Sequence, residues 1–157
     1  MKRIFPVLIL IGMLFVATAS AQESSTTVND KAAAQKLLGK HRLSLQWISW
    51  DYFGAATVTN KKCSSGVKGC YRINGEQKGR GNSDYLKING AISSIDSKQF
   101  RFNGTIETRI SHINGGSPCV RSGEFTFKIT GKRKYWRLAE MDNPCDPVTD
   151  YVDIYFR

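Results

Sequence analysis

The chain has 157 residues, 41% of them hydrophobic and 23% charged, a length and composition that suit one globular domain and exclude a disordered, collagenous or multi-domain chain. Its formal charge is +10, so its surface prefers anionic partners, although net charge speaks to association and solubility rather than to fold.

Met1-Lys2-Arg3 is a basic start, Ile4 to Val16 is an apolar run too short to span a membrane with its flanks, and Ala19-Ser20-Ala21 matches a small-residue cleavage site. Residues 1–21 therefore read as a secretory signal peptide, and the mature chain as an exported, soluble protein of the periplasm or the medium that begins at Gln22. Removing Lys2 and Arg3 takes the charge from +10 to +8. Residues 22–30 read as a flexible leader, Ser/Thr-rich and without periodicity up to Asn29. Asp30 is placed to cap a short helix from Lys31 to Leu38, with Ala32, Ala33 and Ala34 as strong formers and Gly39 as the stop.

Strands follow over residues 31–157, read as a single domain. His41 to Trp50 carries Leu43, Leu45 and Trp47 on one face, Gly54 to Asn60 is its hairpin partner, and Cys70 to Gln77 is a third strand. From Tyr85 to Leu138 apolar residues alternate in three stripes: Leu86, Ile88, Ile92; Phe100, Phe102, Ile106; Phe125, Phe127, Ile129. Period two over such lengths means strands with one buried face. Asn89-Gly90 and Asn103-Gly104 have hairpin-turn chemistry, yet a turn at Gly104 would put Glu107 opposite Phe100. Running the strands straight through keeps both stripes in phase. A turn at Asp96 to Lys98 sets Gly90 against Gly104 and Ile88 against Ile106, and facing glycines suit a sharp bend. A turn over Ile113 to Pro118 then sets Ile106 against Phe125 and Gly104 against Phe127. Another at Gly131 to Lys134 lays Leu138 against Phe127. Tyr151 to Phe156 closes the chain.

Eight antiparallel strands in sequence order can close into an up-and-down barrel. Leu37-Leu38-Gly39-Lys40-His41-Arg42-Leu43, a helix end leading into the first strand, resembles the L-x-G-x-W-x-L pattern of the calycin superfamily, the lipocalins and their small bacterial relatives. His41 stands where that pattern has tryptophan, which leaves Trp47 or Trp50 to fill the barrel floor. The resemblance implies a barrel with one capped and one open end that binds a small apolar ligand.

Cys63, Cys70, Cys119 and Cys145 enter an oxidising compartment as an even set, and local spacing favours Cys63 with Cys70, leaving Cys119 with Cys145. With no C-x-x-C pair and two histidines in the whole chain, no metal site is expected. No cofactor motif occurs. The histidines sit on different strands with no G-x-S-x-G elbow, and Asp142, Asp146, Asp150 and Asp153, the candidates for paired carboxylates, lie near prolines and a disulfide, where turn-forming roles are expected instead. The expectation is a non-catalytic monomer that meets neither nucleic acid nor membrane. Where the inner stripe turns polar, Thr108, His112 and Arg121 could line a mouth above Phe102, Ile106 and Phe125, an apolar pocket with a few convergent polar groups. Two functions follow: a carrier of a small, partly apolar anion, or a module binding an acidic protein, such as an enzyme inhibitor, through the loops Lys61–Gly69, Lys78–Asp84 and Met141–Thr149.

Overall fold

In the computed structural model, which describes residues 25–157 apart from residues 65 and 67, one sheet closes on itself. Its elements are β1 (Thr27–Val28), α1 (Lys31–Leu37), β2 (Gly39–Leu45), β3 (Gly54–Lys62), β4 (Lys68–Lys78), β5 (Tyr85–Ile95), β6 (Gln99–Arg109), β7 (Cys119–Lys128), β8 (Tyr135–Leu138) and β9 (Val152–Tyr155). Each strand from β2 to β9 pairs antiparallel with its sequence neighbour, and β9 returns to β2 through Leu43 opposite Ile154. The result is the expected eight-stranded up-and-down barrel with a short N-terminal helix.

Local chemistry sets the start. Asp30 Oδ1 accepts the Ala33 amide at 2.8 Å, a cap that contributes about 1 kcal/mol. The helix ends at Leu38, whose backbone is extended (φ −65°, ψ 142°), and Gly39, at φ +98°, opens β2. The stretch before it is tied down from Thr26 on. β1 runs parallel to β5 at Ser94 and Ile95, while Thr26 Oγ1 donates to the Ile92 carbonyl at 2.6 Å and accepts the Tyr71 amide at 3.0 Å. The pairing of β4 with β5 ends at Ala91, so β1 covers an edge that β4 leaves bare. Residues 1–21, read as a signal peptide, lie outside the described residues.

The β5–β6 pairing matches expectation: Ile92 faces Phe102, Gly90 faces Gly104 and Ile88 faces Ile106, with Ser93 bulged out beside them. The β7–β8 pairing of Phe127 with Leu138 also matches. Between β6 and β7 the register differs by four residues. Phe102 faces Phe125, Gly104 faces Gly123 and Ile106 faces Arg121. The chain leaves the ladder at Arg109, and Ile113 is drawn inward to 6% exposure instead of heading a tight turn. β2 stops at Leu45 rather than Trp50, because the chain turns there to bring Trp47 over the end of the barrel. Trp50 is 54% exposed and fills no floor.

Large side chains occupy the interior. Phe100, Phe102, Phe127, Leu43, Ile106 and Leu138 are each 0% exposed, which leaves no water-sized space against them. Phe100 and Phe127 stack at 5.2 Å, and so do Phe102 and Phe125. At one end α1 buries Ala34 and Leu37, and Trp136 stands edge-on to His41 at 5.6 Å. His41 Nε2 lies 2.8 Å from the Leu37 carbonyl oxygen and Nδ1 lies 3.0 Å from that of Tyr155, so the histidine joins the helix end to the last strand.

Candidate functional site

The residues expected at a mouth are brought together, at the barrel end opposite α1. Phe102, Ile106 and Phe125 point inward as core, and Thr108 beyond them is buried. Arg121 shares the inward face because it sits opposite Ile106. His112 stays exposed, edge-on to Trp47 at 6.0 Å.

A loop closes over this end. Arg121 Nη1 donates to the carbonyl oxygens of Glu140 at 2.8 Å and Asp142 at 3.3 Å. Its Nη2 makes no hydrogen bond and lies 3.5 Å from Asp150 Oδ2. Asp150 in turn accepts the Trp47 indole N–H and the Asn143 amide, each at 3.1 Å. Burial loosens the Arg121 guanidinium's hold on its proton, with Asp150 and Glu140 opposing that shift. Burial also pushes the Asp150 carboxyl upward, against the pull of Arg121, Trp47 and Asn143. Taking both charges out of water costs several kcal/mol per ion, which their attraction offsets only in part. The arrangement is a polar plug, stapled by the Cys119–Cys145 disulfide beside it. The second disulfide is Cys63–Cys70, so both pairings follow the spacing argument, and two disulfides point to an oxidising compartment.

Of the other acidic residues weighed as catalytic candidates, Asp153 lies on β9, while Asp142 and Asp146 are in the same loop. Asp146 Oδ2 accepts the Asn114 amide at 2.7 Å, and Asp142 forms an isolated bridge with Thr149. No group of three or more His, Cys, Asp or Glu side chains among the described residues could hold a metal ion.

Outside the barrel, a cleft of about 250 Å³ opens between the hairpin tip after β7 and the loop before β9. Lys128, Arg133 and Arg137 supply its charge; Ala139, Met141 and Tyr151 supply apolar surface, and no acidic side chain lines it. Arg137 is fixed from both sides. Its Nε and Nη2 donate to Asp153 Oδ1 and Oδ2, both at 2.7 Å, and its guanidinium lies 4.4 Å from the centre of the Tyr151 ring. The hydrogen bonds to Asp153 raise the Arg137 pKa further, burial opposing. Lys128 and Arg133 have no acidic partner among the described residues.

Of this cleft the sequence signals Lys132-Arg133-Lys134 as a basic hairpin tip. Arg137 and Asp153 were missed, although alternation holds a signal for both: Arg137 lies between inward Trp136 and Leu138, and Asp153 between Val152 and Ile154. Tyr151 and Met141 carried no pattern that would join them to it.

Fold and surface together define a plugged, disulfide-bonded β-barrel with a basic cleft on its outside. The chain belongs to the PM1083 family, whose model matches residues 25–156. It is 42% identical over 148 residues to a Pasteurella multocida (strain Pm70) protein named "Uncharacterized protein PM1083", a match covering 94% of this chain and 92% of that one. No solved structure matches it.

Proposed function

We propose that the protein is an exported, non-catalytic module that binds another protein through the outside of its barrel. The observation that carries this reading is the filled interior: Phe100, Phe102 and Phe127 occupy, at 0% exposure, the space in which an eight-stranded carrier would hold its ligand. Both ends are covered as well, one by α1 and the other by the plug. The strand count and up-and-down order are compatible with a calycin-like barrel, but fold analogy does not supply a ligand. Disulfides stiffen the loops at Cys63–Cys70 and Cys119–Cys145, which lowers the ordering cost of binding a partner. Of the acidic side chains that could have served hydrolysis, those of Asp146, Asp150 and Asp153 are engaged in structural contacts. The chain's basic start and small-residue cleavage site support export, with maturation after Ala21.

Native mass spectrometry of the mature protein purified from its own host tests this directly. The expected spectrum holds the doubly disulfide-bonded chain alone or with a protein partner, and titration with the apolar dye N-phenyl-1-naphthylamine gives no saturable fluorescence increase. A stoichiometric small molecule, or saturable dye binding to the wild type, would return the function to the barrel interior.

A further inference from the structure

We infer that the outer cleft between the Gly131–Lys134 hairpin tip and the Met141–Tyr151 loop receives an acidic, partly apolar segment of the partner protein. The inference rests on the binding-module reading and names what that module would recognise.

Three features select the occupant. First, the cleft holds excess positive charge: Arg137 is balanced by Asp153, while Lys128 and Arg133 are unbalanced and Lys132 and Lys134 stand exposed beside them on the tip. An anion entering here gains attraction without displacing an acidic side chain. Second, part of the lining is apolar, with Ala139 and Met141 alongside the Tyr151 ring. A bare phosphate would leave that half uncovered, whereas a carboxylate next to an apolar side chain covers both halves. Third, Arg137 is already aimed, because two hydrogen bonds to Asp153 and the Tyr151 ring fix its guanidinium plane. A fixed guanidinium loses little conformational freedom when a ligand arrives.

A second basic depression, lined by Lys40, Arg42 and Arg157 with Ala55 and Phe156, differs in that none of its cations is held by a carboxylate among the described residues. Its Arg42 guanidinium packs 4.6 Å from the Phe53 ring centre and 5.3 Å from that of Tyr155. It serves as the internal control for simple charge attraction.

The test uses the mature, disulfide-bonded protein and an acetylated, amidated peptide of alternating glutamate and phenylalanine, followed by amide chemical-shift mapping and calorimetry at fixed salt. The expected shifts cluster at Lys128, Arg133, Ala139, Met141 and Tyr151. Lys128→Ala and Arg133→Ala each weaken binding roughly tenfold, the scale of losing one hydrogen bond to a charged group. Lys40→Ala and Arg157→Ala change it less than about twofold, as for remote surface charges. Both cleft residues are exposed, and unchanged spectra elsewhere show that the variants fold.

Equal weakening from the cleft and control variants would reduce the effect to net charge and overturn the inference. So would equal binding of a peptide carrying glutamine in place of glutamate, or inorganic phosphate saturating the same residues as tightly as the peptide. Each of these leaves the module reading standing, since that reading is decided by co-purified mass and by the dye. Conversely, a ligand found inside the barrel removes the module reading even where the peptide still binds the cleft.

Discussion

Arg137 and Asp153 face each other across the β8–β9 ladder and are joined by two parallel hydrogen bonds of 2.7 Å. The Asp153 side chain is 1% exposed and that of Arg137 is 15% exposed, so the two partners are unequally able to reach water. Removing the cation strands a carboxylate in the protein, at a cost of about 3 to 5 kcal/mol. Removing the anion leaves a guanidinium that can turn outward. Arg137→Met is therefore expected to destabilise the protein clearly more than Asp153→Asn in urea titrations. Equal losses would mean that the pair is not held away from solvent.

The plug predicts an unusual pH dependence. Burial raises the Asp150 carboxyl above the ordinary aspartate range, so the native state holds this proton more tightly than the unfolded chain does. A group of this kind contributes its full stability below the unfolded pKa of about 3.9, and that contribution is lost as pH rises through the higher native value. Acidification across this window favours the native state at Asp150. The stability advantage of wild type over Asp150→Asn is accordingly expected to shrink as pH rises through the window, alongside a carboxyl carbon titration displaced upward in NMR. An advantage that grows instead would show the Arg121 attraction outweighing burial.

Gly104 supports the bend on which closure depends. A Cβ there would fall on the Asn89 carbonyl oxygen and against the Gly90 Cα, and both belong to backbone that cannot swing aside. Gly90→Ala meets the Asn103 carbonyl oxygen at 2.5 Å and the Phe102 ring at 2.6 Å. Each substitution is expected to lower stability by about 1 to 3 kcal/mol or more, as overpacking does, measured by thermal or urea unfolding. Neutral alanines at both positions would contradict the close approach of β5 and β6.

The two disulfides close loops of different length. Their sequence separations are 7 for Cys63–Cys70 and 26 for Cys119–Cys145. In the chain-entropy account the longer loop stabilises by about 1 kcal/mol more, and it also anchors the plug. The double alanine variant at Cys119 and Cys145 should unfold at lower urea than the one at Cys63 and Cys70.

Phe102→Ala tests the filled interior from within. Truncation removes a stacked ring and costs about 3 to 5 kcal/mol. If the variant stays folded, the new apolar cavity is expected to bind benzene in water, detected by NMR, while the wild type does not.

Much of the barrel was legible because alternation is a local signal that survives without knowledge of partners. Leu86, Ile88, Gly90 and Ile92 stay in phase, as do Phe100, Phe102, Gly104 and Ile106, and this alone rejected two tempting turns and fixed the β5–β6 register. The β6–β7 offset was not legible by the same means. A four-residue slip keeps every side chain on its face, so alternation cannot distinguish Phe125 opposite Ile106 from Arg121 opposite Ile106. The choice falls to the connection, where burying Ile113 lengthens the loop. At the site, polarity correctly marked Thr108, His112 and Arg121 as an end of the stripe. The counter-ion Asp150 and the lid Trp47 lie far off in sequence with no periodicity linking them, so the same residues read as a mouth.

The ring closes by joining β2 to β9, its earliest and latest strands, with His41 bonded to the backbone of Tyr155 as a clasp. A fragment that stops between Leu138 and Val152 therefore keeps two bare strand edges, one on β2 and one on β8, of the kind that pair with other chains. During synthesis the barrel must stay unsealed until β9 emerges, and a stop before Val152 would yield a sticky open sheet rather than a slightly shortened barrel.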